Sequence, residues 1–296
     1  MNVRTILKWA GSKSRVMETL KQHLPAGDRL VEPFAGSCAV MMNTDYKEYL
    51  IADTNPDLIN MYQQIKNDYE FVISIAQDFF KARNNNEDAY RRYRRSFNHD
   101  KCSGNVYKAA LFLYLNRHCF NGLCRYNKSG SFNVPFGKYE APYFPEAEIL
   151  AFAEKSQRAT FLCCSFEQTL DMAVAGDVVY CDPPYLAESK TADFSNYHTA
   201  GFSFAEHKVL ALSLRKLSQE GCSVVASNNY SERVLALYSG FEIASFDARR
   251  SIGAAADSIK TAREVIATLP AARNMCSPCH ERYCGNCAHS TGAVIQ

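Results

Sequence analysis

Short apolar runs alternate along this chain with stretches whose apolar positions recur every three to four residues, and that alternation predicts an α/β protein. Residues 29 to 33, 49 to 52, 160 to 164, 177 to 181, 222 to 226, 241 to 246 and 263 to 268 have the length and apolar content of buried strands. Helical spacing falls near 13 to 24, 37 to 44, 166 to 174, 204 to 219 and 231 to 239. Strands and helices taken in turn imply a doubly wound, mainly parallel sheet. From 58 to about 117 the strand pattern stops: Leu58, Met61 or Tyr62, Ile65, Tyr69, Val72, Ala76 and Phe79 keep a helical period, and a second apolar helix is expected from Val106 to Leu115. This part reads as an α-helical insertion. An aromatic and asparagine-rich stretch follows from 119 to 144, where Tyr126-Asn127-Lys128-Ser129-Gly130-Ser131-Phe132 supplies a polar turn between two aromatic arms, as in a hairpin.

Composition narrows the class. With 296 residues, 47% of them hydrophobic, the chain can bury one substantial core and carry a smaller insertion. No run of about 18 apolar residues occurs and the N-terminus lacks a positive-then-apolar signal pattern, so neither membrane spanning nor export is expected, and the expected setting is cytoplasmic. A net charge of +2 does not announce a nucleic-acid binder, but the charge is uneven. Arg91-Arg92-Tyr93-Arg94-Arg95 is followed by His99 and Lys101, then by Arg117, Arg125, Lys128 and Lys138, with Arg249 and Arg250 before Ser251-Ile252-Gly253. The Arg91 to Arg95 run reads equally as a solvated face or as phosphate contact and base-edge readout.

The strongest chemical signal is Asp182-Pro183-Pro184-Tyr185 at the end of the apolar run Asp177 to Cys181. Neither proline has an N–H for a ladder, so the strand must end there, at the sheet edge where open α/β sheets bind ligands. The corner offers a carboxylate, an unclaimed Pro183 carbonyl and the Tyr185 ring. Two acceptors and a flat ring suit a planar base with an exocyclic amine: the acceptors take its protons and aim the nitrogen at an electrophile while the ring stacks. Alone, the tetrapeptide reads as a Pro-Pro turn with a core tyrosine. Its weight comes from Leu30 to Ser37, a short strand passing into a glycine turn at Gly36, and from Asp53 at the end of a second strand, placed to accept from ribose hydroxyls. Leu7-Lys8-Trp9-Ala10-Gly11-Ser12-Lys13 adds the single tryptophan between two lysines, without the spacing of a phosphate loop.

Together these stretches resemble the Dam-type DNA adenine-N6 methyltransferases that act on GATC. The matching segments are Lys8-Trp9-Ala10-Gly11, Val31 to Gly36, Ala52-Asp53-Thr54-Asn55, Leu115-Asn116-Arg117, Asn121 to Asn127, Phe132 to Gly137 and Asp182 to Tyr185, in the family's order across most of residues 1 to 269. The resemblance implies a Rossmann-like methyltransferase sheet, formed by residues 1 to 57 and 145 to 270, with an inserted, mainly α-helical DNA-recognition domain over 58 to 144. It implies catalysis by Asp182, the Pro183 carbonyl and Tyr185. It assigns S-adenosylmethionine to Trp9, Lys13, Asp53 and Asp182, with Phe34, Gly36 and Phe166 lining its pocket. Lys8, Phe120, Asn121, Leu123, Arg125 and Tyr139 are implied to contact double-stranded DNA. Arg125 has the fork for a guanine edge and Leu123 suits a thymine methyl, although Leu123 and Phe120 read equally as core residues.

Two positions depart from the family: Cys38 stands where a second glycine is usual, and Phe120 where a tyrosine is common. A residue with a Cβ takes positive φ at a cost, so Cys38 leaves room for a catalytically weak DNA-binding relative. A methyltransferase with another target base or sequence is the other alternative. A monomer suffices, since GATC is palindromic and each strand can be methylated in turn. Of twelve cysteines, eight are scattered, while Cys276, Cys279, Cys284 and Cys287 form two closely spaced pairs suited to a structural zinc knuckle in the tail 271 to 296.

Overall fold

The computed structural model describes residues 2–99, 105–186, 202–249 and 261–272. Arg250, the Ser251-Ile252-Gly253 segment, Lys101 and the four tail cysteines lie outside them. Seven strands form one sheet: β1 Arg29–Glu32, β2 Glu48–Asp53, β3 Ala159–Cys163, β4 Val178–Cys181, β5 Ser223–Asn229, β6 Glu242–Arg249 and β7 Thr261–Leu269. Their order is β3-β2-β1-β4-β5-β7-β6. β3, β2, β1, β4 and β5 pair parallel to their neighbours, and β7 lies antiparallel between β5 and β6.

From β1 the chain winds outward to β2 and β3, then returns to place β4 on the other side of β1. The winding direction therefore reverses between β1 and β4, with Val31 opposite Val179, and crevices open at the carboxyl ends of strands at such a reversal.

The helices are α1 Met17–Lys21, α2 Ala39–Asn43, α3 Pro56–Phe79, α4 Glu87–His99, α5 Val106–His118, α6 Glu146–Ser156, α7 Phe166–Leu170, α8 Phe204–Gln219 and α9 Glu232–Leu237. Local chemistry starts them. Asn55 caps α3 by accepting from the amides of Asp57 and Leu58, with Pro56 in the first turn, and Ser203 and Glu206 form a reciprocal capping box on α8. α5 is buried from Ala109 to His118, as expected of a helix surrounded by others.

Alternation along the strands divides the core. Leu30, Ile51, Val178 and Val225 join α3, α5 and α6 in one cluster, while Val31, Leu50, Val179 and Val224 pack with α7, α8 and α9 on the other face. The helices of 58 to 117 thus continue the core of one sheet face.

Three expectations change. The helix expected over 13 to 24 is broken into a 3-10 turn, Lys13–Arg15, and the short α1, since Val16 leaves helical geometry at φ −108°, ψ 10°. The hairpin over 119 to 144 has no ladder, only the isolated bridges Cys119–Phe136 and Tyr126–Phe132 around a turn tied by Asn127. α6 was not anticipated as a helix. None of the helices among the described residues is long and apolar enough to cross a membrane.

Candidate active site

The two prolines end β4 and leave Asp182 at its tip. There the carboxylate Oδ2 lies 2.7 Å from Lys13 Nζ, and both side chains are largely shielded from water. Oδ1 has no hydrogen-bond partner among the described residues. Burial pushes the Asp182 carboxyl above the usual carboxylate range and the Lys13 charge opposes that push. The Lys13 ammonium also sits 4.9 Å from the centre of the Tyr185 ring. Tyr185 is held at its far end, where its hydroxyl donates to Glu264 Oε2 at 2.7 Å, and the next amide, Leu186 N–H, donates to Asn228 Oδ1 at 3.3 Å.

Beside this corner, across the β1–β4 pair, lies the glycine turn. Gly36 has φ +45°, and a Cβ there would fall 2.8 Å from Trp9 Nε1, so any larger residue would have to displace the indole. Its N–H donates to Asp53 Oδ2 at 3.1 Å, and its carbonyl accepts from the Tyr62 hydroxyl at 2.6 Å. The other Asp53 oxygen accepts from the Asn55 amide at 2.9 Å, so Asp53 ties the end of β2 to both the turn and the start of α3.

Cys38 is fully buried with φ 56°, ψ 31°, the left-handed geometry that the missing glycine would have taken freely. Such a residue costs about 1–2 kcal/mol more than glycine in that conformation. Beneath the turn Glu32 is buried and its carboxyl is pushed up to about 8, chiefly by desolvation.

Phe34 stacks on Phe166 with centroids 5.7 Å apart, and Phe202 meets both rings edge-on. The expected catalytic and cofactor residues Trp9, Lys13, Phe34, Gly36, Asp53, Phe166, Asp182, Pro183 and Tyr185 all line one cavity of about 1060 Å³. That is large enough for a nucleoside-sized donor together with a purine. Its cradle fits such a donor: a side-chain-free approach at Gly36, a carboxylate at Asp53, an aromatic slot at Phe34 and Phe166, and an unpartnered buried oxygen on Asp182.

A second cavity, about 350 Å³, is lined by Leu7, Lys8, Asn121 and Tyr139, and shares Trp9, Ser12 and Arg15 with the first. Of the six expected DNA residues, Lys8, Asn121 and Tyr139 line it, while Phe120, Leu123 and Arg125 do not. The Asn116 side chain accepts from the Lys8 amide and donates to the carbonyls of Lys8 and Gly122, which pins the N-terminal segment to the start of the reading segment. Asn121 takes φ 54° and its N–H donates to the Tyr139 hydroxyl at 2.9 Å, while Lys8 Nζ lies 4.2 Å over the Tyr139 ring.

Phe120 is 50% exposed, too open for a core residue, whereas Leu123 packs partly against the core. Arg125 is exposed and braced by Asn133, its Nε donating to Oδ1 at 2.8 Å. The arginine run on α4 divides: Arg91, Arg92 and Arg95 face solvent, but Arg94 turns inward and donates to the Val134 carbonyl at 2.8 Å.

Sequence reasoning did not single out Glu264, Asn228 or Phe202. Asn116 lay inside a recognised segment, but its tie to Lys8 joins residues too far apart in sequence for any local pattern to report.

Comparison with known proteins identifies the family. The family model described as D12 class N6 adenine-specific DNA methyltransferase matches residues 9–252. The Retron Ec67 DNA adenine methylase of Escherichia coli is 54% identical over 263 residues, covering 89% of this chain and 90% of the relative. A DNA adenine methylase of Serratia marcescens is 47% identical over 251 residues, covering 84% and 92%, and that of Escherichia coli K12 is 41% identical over 264 residues, covering 89% and 94%.

Proposed function

The chain belongs to the D12 class of N6 adenine-specific DNA methyltransferases, and we propose that it methylates N6 of an adenine extruded from duplex DNA at GATC, with S-adenosylmethionine as donor. The observation that carries this reading is the meeting of Asp182 and Tyr185 with the Gly36 turn at the ends of adjacent strands, in one cavity that shares Trp9, Ser12 and Arg15 with the neighbouring Lys8–Asn121–Tyr139 cavity. In this reading residues 1–57 and 145–270 are the catalytic domain, 58–144 the target-recognition domain, and the protein works on cytoplasmic DNA as a monomer.

When bound, S-adenosylmethionine supplies a methyl group on a sulfonium, an electrophile that needs no metal or covalent enzyme intermediate. Trp9, Gly36, Asp53 and the Phe34–Phe166 slot would hold it. N6 of adenine lies inside a stacked pair, so the base must leave the duplex at a cost of roughly a few kcal/mol. Phe120 and Asn121 fill the space it leaves. The freed base stacks on Tyr185 and donates hydrogen bonds from its two amino N–H groups to Asp182 and the Pro183 carbonyl, which draws the nitrogen lone pair out of conjugation.

The Lys13 ammonium supports this placement, because a nitrogen at its position lies within hydrogen-bond distance of Asp182 and over the Tyr185 ring. Lys13 holds only Oδ2, so Oδ1 stays open to the amino group as the adenine enters. After transfer the methylated nitrogen is acidic and loses its proton to Asp182 or to water.

Arg125 reads a guanine edge, Lys8 the outer guanine and Leu123 a thymine methyl, with Tyr139 supporting Asn121. The paired spacing of Cys276, Cys279, Cys284 and Cys287 supports a structural zinc knuckle in the tail, and elemental analysis before and after removing residues 271 to 296 tests it.

The function is tested by restriction digestion of DNA from cells that lack other GATC methylation and express the protein. That DNA should resist an enzyme blocked by GATC methylation and be cut by one that requires it. Full sensitivity to the first and resistance to the second would refute GATC methylation.

A further inference from the structure

We propose that Glu264 is a positioning residue that fixes the plane of Tyr185 and so decides whether an extruded adenine is stacked for transfer. The inference rests on the reading of Tyr185 as the stacking ring.

The segment that carries Tyr185 has no secondary structure of its own, since Pro183 and Pro184 end the ladder and the chain continues irregularly through Leu186. Backbone position is set by the strand before it and by the Leu186 amide on Asn228. That leaves the ring free about its last torsion, which in tyrosine is a broad, roughly two-fold well. The hydroxyl oxygen lies on the axis of that torsion, so an anchor there places the ring tip, and it restricts the plane because a phenolic O–H is conjugated with the ring and prefers to point at its acceptor within the ring plane.

Glu264 supplies the anchor, with Oε2 accepting from the Tyr185 hydroxyl at 2.7 Å. It stands on β7 between Asn229 of β5 and Phe246 of β6, held by ladders on both sides, a more exact support than a loop. The bond is short and part-buried, so water competes little for it. Burial and the nearby carboxylates push the Tyr185 hydroxyl well above its usual range, so it remains a donor at any working pH.

The plane so fixed is useful. Lys13 Nζ lies 2.7 Å from Asp182 Oδ2 and 4.9 Å from the ring centre, which shows that the ring presents a face to the region beside the carboxylate. A planar amine held by Asp182 would lie over that face, whereas a swivelled ring would meet it edge-on and leave N6 misaligned. Glu264 also lines the main cavity, yet its role here runs through the tyrosine rather than through direct contact with the base.

The test uses the full chain with Glu264→Gln, Glu264→Leu, Tyr185→Phe and the double variant Tyr185→Phe/Glu264→Leu. It reads kcat at saturating donor and duplex, duplex affinity, and fluorescence of 2-aminopurine at the target position. Glu264→Leu should lower kcat roughly 10- to 100-fold, the scale of a small misplacement at a reacting centre, while duplex affinity holds. Its 2-aminopurine signal should be brighter than in the wild type, because the base is extruded but no longer quenched by stacking.

Glu264→Gln keeps an acceptor and should stay within about threefold of wild type. Tyr185→Phe should lose less than Glu264→Leu, and adding it to Glu264→Leu should restore kcat to the Tyr185→Phe level, since no buried hydroxyl is then orphaned. Wild-type kcat and emission in Glu264→Leu, or losses that add in the double variant, would overturn the proposal. If Glu264→Leu fails to fold, Tyr185→Phe cuts the same bond from the other end, and wild-type kcat and emission there overturn it equally. An Asp182→Ala variant run in parallel separates this from failure of the underlying reading: full turnover by that variant removes the active site itself.

Discussion

Asp182 and Tyr185 stand at the end of a sheet strand, held by buried Lys13, by half-buried Glu264 of β7 and, through the next amide, by buried Asn228 of β5, whereas Phe120 and Arg125 stand on a segment joined by two isolated bridges and open to solvent. Both regions spend strain where a side chain must be aimed: Cys38 at φ 56° in the cofactor turn, Asn121 at φ 54° and Lys138 at φ 55° in the reading segment. They differ in what holds the strain. The cofactor turn is enclosed by Asp53, Tyr62 and Trp9, while the reading segment depends on side-chain hydrogen bonds at its surface, Asn121 to Tyr139 and Arg125 to Asn133. On the proposed function, chemistry is built on fixed elements and sequence reading on adaptable ones, which suits a protein that must first accommodate a duplex and then transfer a group in one geometry.

The contrast predicts separable defects. Arg125→Gln should leave single-turnover transfer from an already extruded base almost intact but forfeit about 1–3 kcal/mol of discrimination at one guanine position. Rates on duplexes substituted at each site position measure this, and equal losses on cognate and substituted sites would mean that Arg125 only holds phosphate.

On the catalytic side, the account requires Asp182 to be ionised. Burial raises its carboxyl and Lys13 opposes the rise, so activity falls as pH drops through a value above the ordinary carboxylate range. Lys13→Gln removes the opposing charge and should move the acid limb of the kcat profile to higher pH; an unmoved limb would separate Lys13 from Asp182 ionisation.

The smallest effect is expected at Cys38. Replacing it by glycine relieves about 1–2 kcal/mol of left-handed strain but adds about 0.5–1 kcal/mol of chain entropy and removes a packed thiol. Denaturant unfolding of Cys38→Gly should therefore differ from wild type by less than about 1 kcal/mol. A larger loss would show that the thiol holds the turn.

Much of this was legible in the sequence for identifiable reasons. All seven strands and α8 fall where hydrophobic period and strand length put them. The nine cavity residues were assigned through the family resemblance, which local motifs carried, and the reversal between β1 and β4 brings the strand-end motifs among them together. Glu264 was not found because β7 inserts antiparallel between β5 and β6, and strand order across 79 residues leaves no local trace.

The inward turn of Arg94 was findable, since Tyr90, Arg94 and Phe97 share one helix face. α6 also carried a signal in Ile149, Phe152 and Ala153, obscured by the aromatic and proline-rich stretch before it.

The central claim is that the Asp182 corner performs the transfer and takes no part in holding the duplex. Single-turnover methyl transfer by Asp182→Ala to a GATC duplex, at saturating S-adenosylmethionine, tests it most directly. The account predicts a fall of at least about 10²–10³-fold with duplex affinity nearly unchanged. Transfer at the wild-type rate, or an equal loss in duplex affinity, would contradict it.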